Sequence, residues 1–319
     1  MSEQDVAIQG YDPESLLDSV LSKNNDELLP WETCQLPSRG VYYKGLIPNG
    51  TIRVRPMGLY ADKVMSTSRL VKTGQAIDYI FRHCVKLPSV GEDSVDPLDL
   101  LADDRVFLLY YLRGITHGND YEFIIKCPHC DKLSDHYYDL VELWDTVRYP
   151  NPDIGNEPFK VNLPYLTEQI KKEHPSNEFW VKVRFLRGHD TMDMLGANSP
   201  TVSDGMPGRA RNRARKKNRQ EVVDEILERG FNLDETLEKN INRVIVEAMG
   251  SRDRIKIKNL VDRMHSTDIG AIMDFLKENT PGIDTGIESD CPHCRATMNV
   301  SLPITETFFR PKKRGGIRS

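Results

Sequence analysis

Apolar and polar positions alternate in two stretches of the chain and recur at helical spacing in several others. Thr51 to Arg55 alternates with period two, which predicts a strand with Ile52 and Val54 facing inward. Val41-Tyr42-Tyr43 reads as a short strand before it, and Pro48-Asn49-Gly50 as the turn between them. Pro56 ends the ladder. Helices follow. One starts near Asp62, and Ile77, Ile80, Phe81, Cys84 and Val85 form one buried helical face that Pro88 stops. Asp96-Pro97 reads as an N-cap with proline in the first turn, and Asp103 as the cap of a helix through Leu109 and Arg113. Strands are expected at Tyr121 to Ile125 and His136 to Leu140, with Trp144 packing beneath that pair. Phe159 to Leu163 and Phe179 to Leu186 give two more, the second with Val181, Val183 and Phe185 on one face. Asp190 is placed as the cap of a helix over Thr191 to Leu195. Helices are expected again at Val222 to Arg229, Asp234 to Met249 and Leu260 to Glu278, with Asp268 as an internal cap. Pro281-Gly282 breaks the last of them, and Met298 to Leu302 is a strand.

Short antiparallel strands mixed with helices give an α+β fold. The candidate chemistry sits in its turns. Cys127-Pro128-His129-Cys130 and Cys291-Pro292-His293-Cys294 repeat one motif, each between strand-like segments. A tight Cys-x-x-Cys turn points two sulfurs at one centre, and two such turns complete a tetrahedral zinc shell with no open position. The expectation is one structural zinc per chain on Cys127, Cys130, Cys291 and Cys294, held in a ribbon split by a long excursion. His129 and His293 are read as turn residues, because four sulfurs suffice. A thiol redox pair is disfavoured, since neither motif opens a helix that would stabilise a thiolate.

Composition changes this picture little. The 319 residues are 39% hydrophobic and 29% charged, with net charge −5. The chain has no apolar run of membrane length and no secretory start. The charge distribution is more telling. Residues 1–30 are an acidic leader, with helical spacing only over Leu16, Leu17, Val20 and Leu21. A basic, flexible insertion is expected at 196–220, carrying Arg209, Arg211, Arg213, Arg215, Lys216, Lys217 and Arg219 as contacts for phosphate or an acidic partner. No aromatic is interleaved there to stack bases. The expected organisation is a body over 31–195 with the first knuckle, then the insertion, a helical segment over 221–284, the second knuckle over 285–310 and a basic tail over 311–319. Cys34 and Cys84 are left outside the motifs, Cys84 in a helix core. Phosphate loops, His-Glu-x-x-His, Gly-x-Ser-x-Gly and the dinucleotide fingerprint do not occur in the sequence, so no catalytic residue is assigned.

Several motifs carry a resemblance. Leu36-Pro37-Ser38-Arg39-Gly40 with Tyr42, the strand end Val54-Arg55-Pro56-Met57, Ile77 with Cys84, Leu112-Arg113 and the Cys-Pro-x-Cys hairpin resemble the baseplate hub proteins of T4-like contractile-tailed bacteriophages. Phe185 to Asp190, Pro281-Gly282-Ile283-Asp284, Leu302-Pro303 and Phe308-Phe309 are similar to the same group. The resemblance spans residues 33–310 in patches and leaves out the leader and the insertion. It implies a structural or assembly protein of the hub, located in the virion tail and assembled in the host cytoplasm. It also implies other tail and baseplate proteins as partners, with no membrane and no small-molecule substrate. The alternative is a zinc-ribbon protein that binds nucleic acid. Asp131, Asp135, Glu288 and Asp290 around the knuckles disfavour that reading.

Overall fold

The alternating stretch forms β2 (Thr51–Val54), the middle strand of a three-stranded antiparallel sheet between β1 (Glu32–Gln35) and β3 (Val85–Lys86). The computed structural model describes residues 13–23, 28–72, 74–90, 93–191 and 241–311. The expectations for the first twelve residues, the basic insertion with Arg209 to Arg219, the helix over Val222 to Arg229 and the tail from 312 onward lie outside them. Ile52 and Val54 are buried while Thr51 and Arg53 are exposed, as the alternation requires. The acidic leader carries one described helix, α1 (Pro13–Leu21), with Leu17, Val20 and Leu21 exposed.

Val41–Tyr43 is a 3-10 turn and not a strand. Gly40 and Lys44 on either side take left-handed backbone, φ 77° and 52°, which curls the segment. Tyr42 and Tyr43 are both buried, which two adjacent strand residues on a half-exposed sheet cannot be. Two short helices, α2 (Leu59–Ser66) and α3 (Ser68–Lys72), lead to α4 (Gln75–Cys84). Its stripe of Ile77, Ile80, Phe81 and Cys84 is buried as expected, and Val85 opens β3 instead of extending the helix. The hairpin β4 (Ser89–Val90) and β5 (Asp93–Ser94) precedes a 3-10 turn at Pro97–Asp99, where Asp96 accepts from the Leu98 N–H and forms a capping box with Asp99.

The central helix is α5 (Ala102–His117), which buries Val106, Leu108, Leu109, Tyr110 and Leu112. Leu101, not Asp103, takes its N-cap position. After α5 come β6 (Asp120–Lys126) and β7 (Leu133–Asp139), paired antiparallel over their whole length, and then a single turn α6 (Val141–Trp144). Trp144 packs against Phe107 and Tyr111 of α5, at 5.4 and 6.0 Å between ring centroids.

A second sheet runs β10-β9-β8. It comprises β8 (Phe159–Asn162), followed by α7 (Pro164–Lys171), then β9 (Trp180–Val183), and later α8 (Ile241–Val244) leading into β10 (Ile245–Ala248). Residues 245–248 were expected to continue a helix. Their pairing with Val181 to Val183 overrides the local spacing. Asp190 clasps Arg184 with both oxygens at 2.8 Å and accepts from the Arg187 N–H. Of the helix expected after it, residues 192–195 are not described.

The helix expected over 260–278 is two helices, α9 (Arg254–Val261) and α10 (Ser266–Asn279). His265 caps the second by accepting from the Thr267 N–H. The fold closes with β11 (Gly286–Asp290), β12 (Thr297–Ser301) and the turn α11 (Glu306–Phe309). One buried cluster runs from Cys34 to Phe309, so the last residues complete the core that the first ones begin.

Candidate metal centre

Two hairpins carry the repeated cysteine motif, and their turns are built alike. The Cys127 N–H donates to Lys132 O at 2.9 Å, and the Asp131 N–H donates back to Cys127 O at 2.9 Å. In the second hairpin, the Cys291 N–H donates to Ala296 O at 3.0 Å and the Arg295 N–H to Cys291 O at 2.8 Å. Asp131 and Arg295 hold the same left-handed conformation, φ 58° and 59°. Proline after the first cysteine of each motif suits such a turn, because it fixes φ and needs no donor.

The tips meet. All four sulfurs lie within 4.8 Å of one another. Cys127 Sγ is 3.7 Å from Cys294 Sγ, and Cys130 Sγ is 3.7 Å from Cys291 Sγ. A zinc–sulfur bond of about 2.3 Å puts tetrahedral sulfurs about 3.8 Å apart. The four are free thiols, so no disulfide competes for them. Cys127 and Cys291 are buried and Cys130 and Cys294 look outward; Met298 and Val300 pack beneath.

The electrostatics fit a cation among the sulfurs. The Cys294 N–H bonds the Cys291 sulfur, with the His293 N–H helping, and draws Cys291 down to about 6. For Cys130 the Lys132 N–H favours the thiolate, but burial and the neighbouring sulfurs outweigh it and push the thiol up to about 12. Four sulfurs this close cannot all shed their protons unless a positive ion neutralises them. Cys34 and Cys84 contrast with these: burial pushes them to about 12 and about 11 as inert core thiols.

Histidines brace the two hairpins away from the sulfurs. His136 on β7 reaches Ser289 Oγ on β11 at 2.8 Å with Nδ1 and Ser134 Oγ at 2.7 Å with Nε2. His293 Nε2 donates to Leu133 O at 3.2 Å, so the second knuckle is tied to the first hairpin. Sequence reading placed His293 in a turn and assigned nothing to His136. The only signal for His136 was its place at the start of a strand expected after the first motif.

A family model described as T4 bacteriophage base plate protein matches residues 32–310, most of the chain. The chain belongs to that family. No curated protein and no solved structure matches it. Within the matched range, the turn at 36–40 is anchored by a buried carboxylate. The Ser38 N–H donates to the buried Asp104 carboxylate at 3.1 Å, and Tyr43 Oη donates to its other oxygen at 2.5 Å. The Leu101 N–H donates to that same Tyr43 Oη at 2.8 Å. A Cβ on Gly40 would stand 1.9 Å from the Ile47 carbonyl oxygen, so only glycine fits the turn. Arg187 extends the network to Glu157 at 2.6 Å and to the Tyr42 carbonyl oxygen at 3.2 Å. These residues together hold the start of α5 against the first sheet and the loop after β9. No helix among the described residues is long and apolar enough to cross a membrane.

Proposed function

We propose that this base plate family member is a structural or assembly component of the central hub of a phage tail baseplate, folded around one zinc ion. Cys127, Cys130, Cys291 and Cys294 are its ligands. The observation that carries the reading is the convergence of four sulfurs from hairpins 161 residues apart in sequence, at spacings a tetrahedral ion requires. When bound, the ion supplies cohesion and no reaction, because four thiolates leave no position for substrate. The chain's own residues do the rest. The paired turns set the sulfurs, Met298 shields them from below, and His136 and His293 fix one hairpin on the other. Its partners are other tail and baseplate proteins, its place is the virion tail, and it is assembled in the host cytoplasm.

The carboxylates at the knuckles support a protein role over nucleic-acid binding. Lys126 is paired with Asp131 at 2.9 Å, and Asp290 accepts from Thr297 Oγ1 at 2.8 Å, so carboxylates stand among the cations of the tips.

Native mass spectrometry of the purified chain is expected to show one zinc, lost with a chelator together with the cooperative thermal transition. Cys291→Ser should destabilise the chain by several kcal/mol, about 3 or more, in line with losing a structural metal. A metal-free chain with an unchanged melting temperature would remove the zinc from this reading. The hub role is tested separately: cells infected with phage lacking this chain should accumulate incomplete baseplates, and normal tails would exclude it.

A further inference from the structure

Asn49-Gly50 is the one Asn-Gly pair in the sequence, and it stands in the turn that leads into β2. Asparagine followed by glycine is prone to spontaneous deamidation, because the glycine nitrogen is not screened by a Cβ. That nitrogen gives its proton to solvent base and attacks the Asn side-chain carbonyl carbon. A new C–N bond closes a five-membered imide, and the side-chain nitrogen takes up a proton and leaves as ammonia. Water then opens the ring to aspartate or isoaspartate, so water is the only co-reactant.

The fold holds the two reacting atoms apart. Asn49 itself is exposed, so solvent reaches its side chain. Its backbone is left-handed, φ 54° and ψ 18°. At that ψ the Gly50 nitrogen nearly eclipses the nitrogen of Asn49 and stands away from its Cβ, whereas ring closure needs it beside the Cβ. The peptide group that must rotate is tied at both ends. The Gly50 N–H donates to Ile47 O at 3.1 Å, and Gln35 Nε2 donates to Asn49 O at 2.9 Å. Gln35 is held in turn by the Arg39 guanidinium, which donates to its Oε1. Gly50 is buried against the 36–40 turn. A Cβ on Gly40 would stand 2.7 Å from the Gly50 nitrogen, and a Cβ on Gly50 would stand 2.8 Å from Arg39 Cα. The backbone at 39–40 thus covers the nitrogen whose proton must leave.

We propose that Asn49 is a modification site gated by folding: the unfolded chain deamidates at Asn49-Gly50, and closure of the 36–50 turn stops the reaction. The product bears on the fold as well. Isoaspartate adds one carbon to the backbone at residue 49, which shifts Gly50 off Gly40 and loosens the bond from the Leu36 N–H to Gly50 O, now 2.9 Å. Neither the metal nor the hub role enters this chemistry.

The experiment uses the full chain, folded and in guanidinium chloride, beside a synthetic peptide of residues 45–53. All three are kept at physiological temperature in mildly alkaline buffer. Mass spectrometry of the tryptic segment 45–53 follows the conversion, with a fragmentation that separates aspartate from isoaspartate. The denatured chain and the peptide should convert at similar rates, and the folded chain at least tenfold more slowly. Gln35→Ala frees the Asn49 carbonyl and should speed conversion in the folded chain at least threefold, with a melting temperature close to that of the parent. If that variant does not fold, Gln35→Met, which keeps the length and lacks the donor, takes its place. Folded and denatured rates within tenfold of each other overturn the proposal. So does a folded Gln35 variant that converts no faster than the parent, because the tied peptide group would then not be what restrains the reaction.

Discussion

Asp104 joins two separate stretches through one carboxylate: the 38–43 turn and the start of α5, where Tyr43 also accepts from the Leu101 N–H. It is fully buried, and burial raises its carboxyl from 3.8 to about 6, more than the Ser38 and Tyr43 donors lower it. The unfolded chain releases this proton near pH 4, while the folded chain holds it to about 6. Between those values the folded state binds more protons than the unfolded one, so stability falls as pH rises through the window. The expected loss is on the order of 3 kcal/mol. Asp104→Asn, which carries no charge, is expected to remove that slope. Urea unfolding at pH 4 and pH 7 measures it, and a slope that persists in the variant would place its origin elsewhere. The sequence places Asp104 next to Asp103 at a helix start, where Asp103 was read as the cap. The pattern has no means of showing that the second of them is covered by a turn 61 residues earlier.

Among the elements, α7 and α10 are tied by a cap that local rules miss. Asp268 sits in the first turn of α10, fully buried, and its carboxylate accepts from the Tyr165 N–H at 2.8 Å and the Leu166 N–H at 3.3 Å. Those N–H groups belong to the first turn of α7, which has no side-chain cap of its own. Tyr165 also stacks on His265, the residue that caps α10, at 4.1 Å. Asp268→Ala should therefore cost about 2 kcal/mol, more than an exposed cap, because two buried donors lose their acceptor. Chemical denaturation reads this directly; a change under about 0.5 kcal/mol would mean that water replaces the carboxylate. Sequence reading recognised Asp268 as a capping residue but assigned it to its own helix. The same scale explains β10. Ile245 to Ala248, Ile-Val-Glu-Ala, is a short stretch compatible with either helix or strand, and only the edge of β9 decides.

Across the whole molecule, the C-terminal segment completes a core begun by α5 and β6. Tyr110 Oη donates to Leu302 O at 2.6 Å, and Tyr121 Oη donates to Pro303 O at 2.7 Å. Phe308 lies edge-on to both rings, at 5.2 and 5.4 Å. A chain ending at Asp284 loses these contacts together with two of the four sulfurs. Its thermal transition, followed by circular dichroism, is expected to drop by at least about 10 °C or to disappear. An unchanged transition would show that the second hairpin is an appendage.

The sequence by itself determined the features whose cause is local. The buried stripe of α4 follows from helical spacing, the inward Ile52 and Val54 follow from alternation, and the pairing of cysteines follows from two identical turns. It also carried the base plate family, whose model matches residues 32–310. Only the tertiary structure decided what depends on distant partners. It brought the two knuckles together and put Asp104 under Tyr43. It also set His136 against Ser289. Each of these is a meeting of groups far apart in the chain, and local propensity does not encode which far segment arrives.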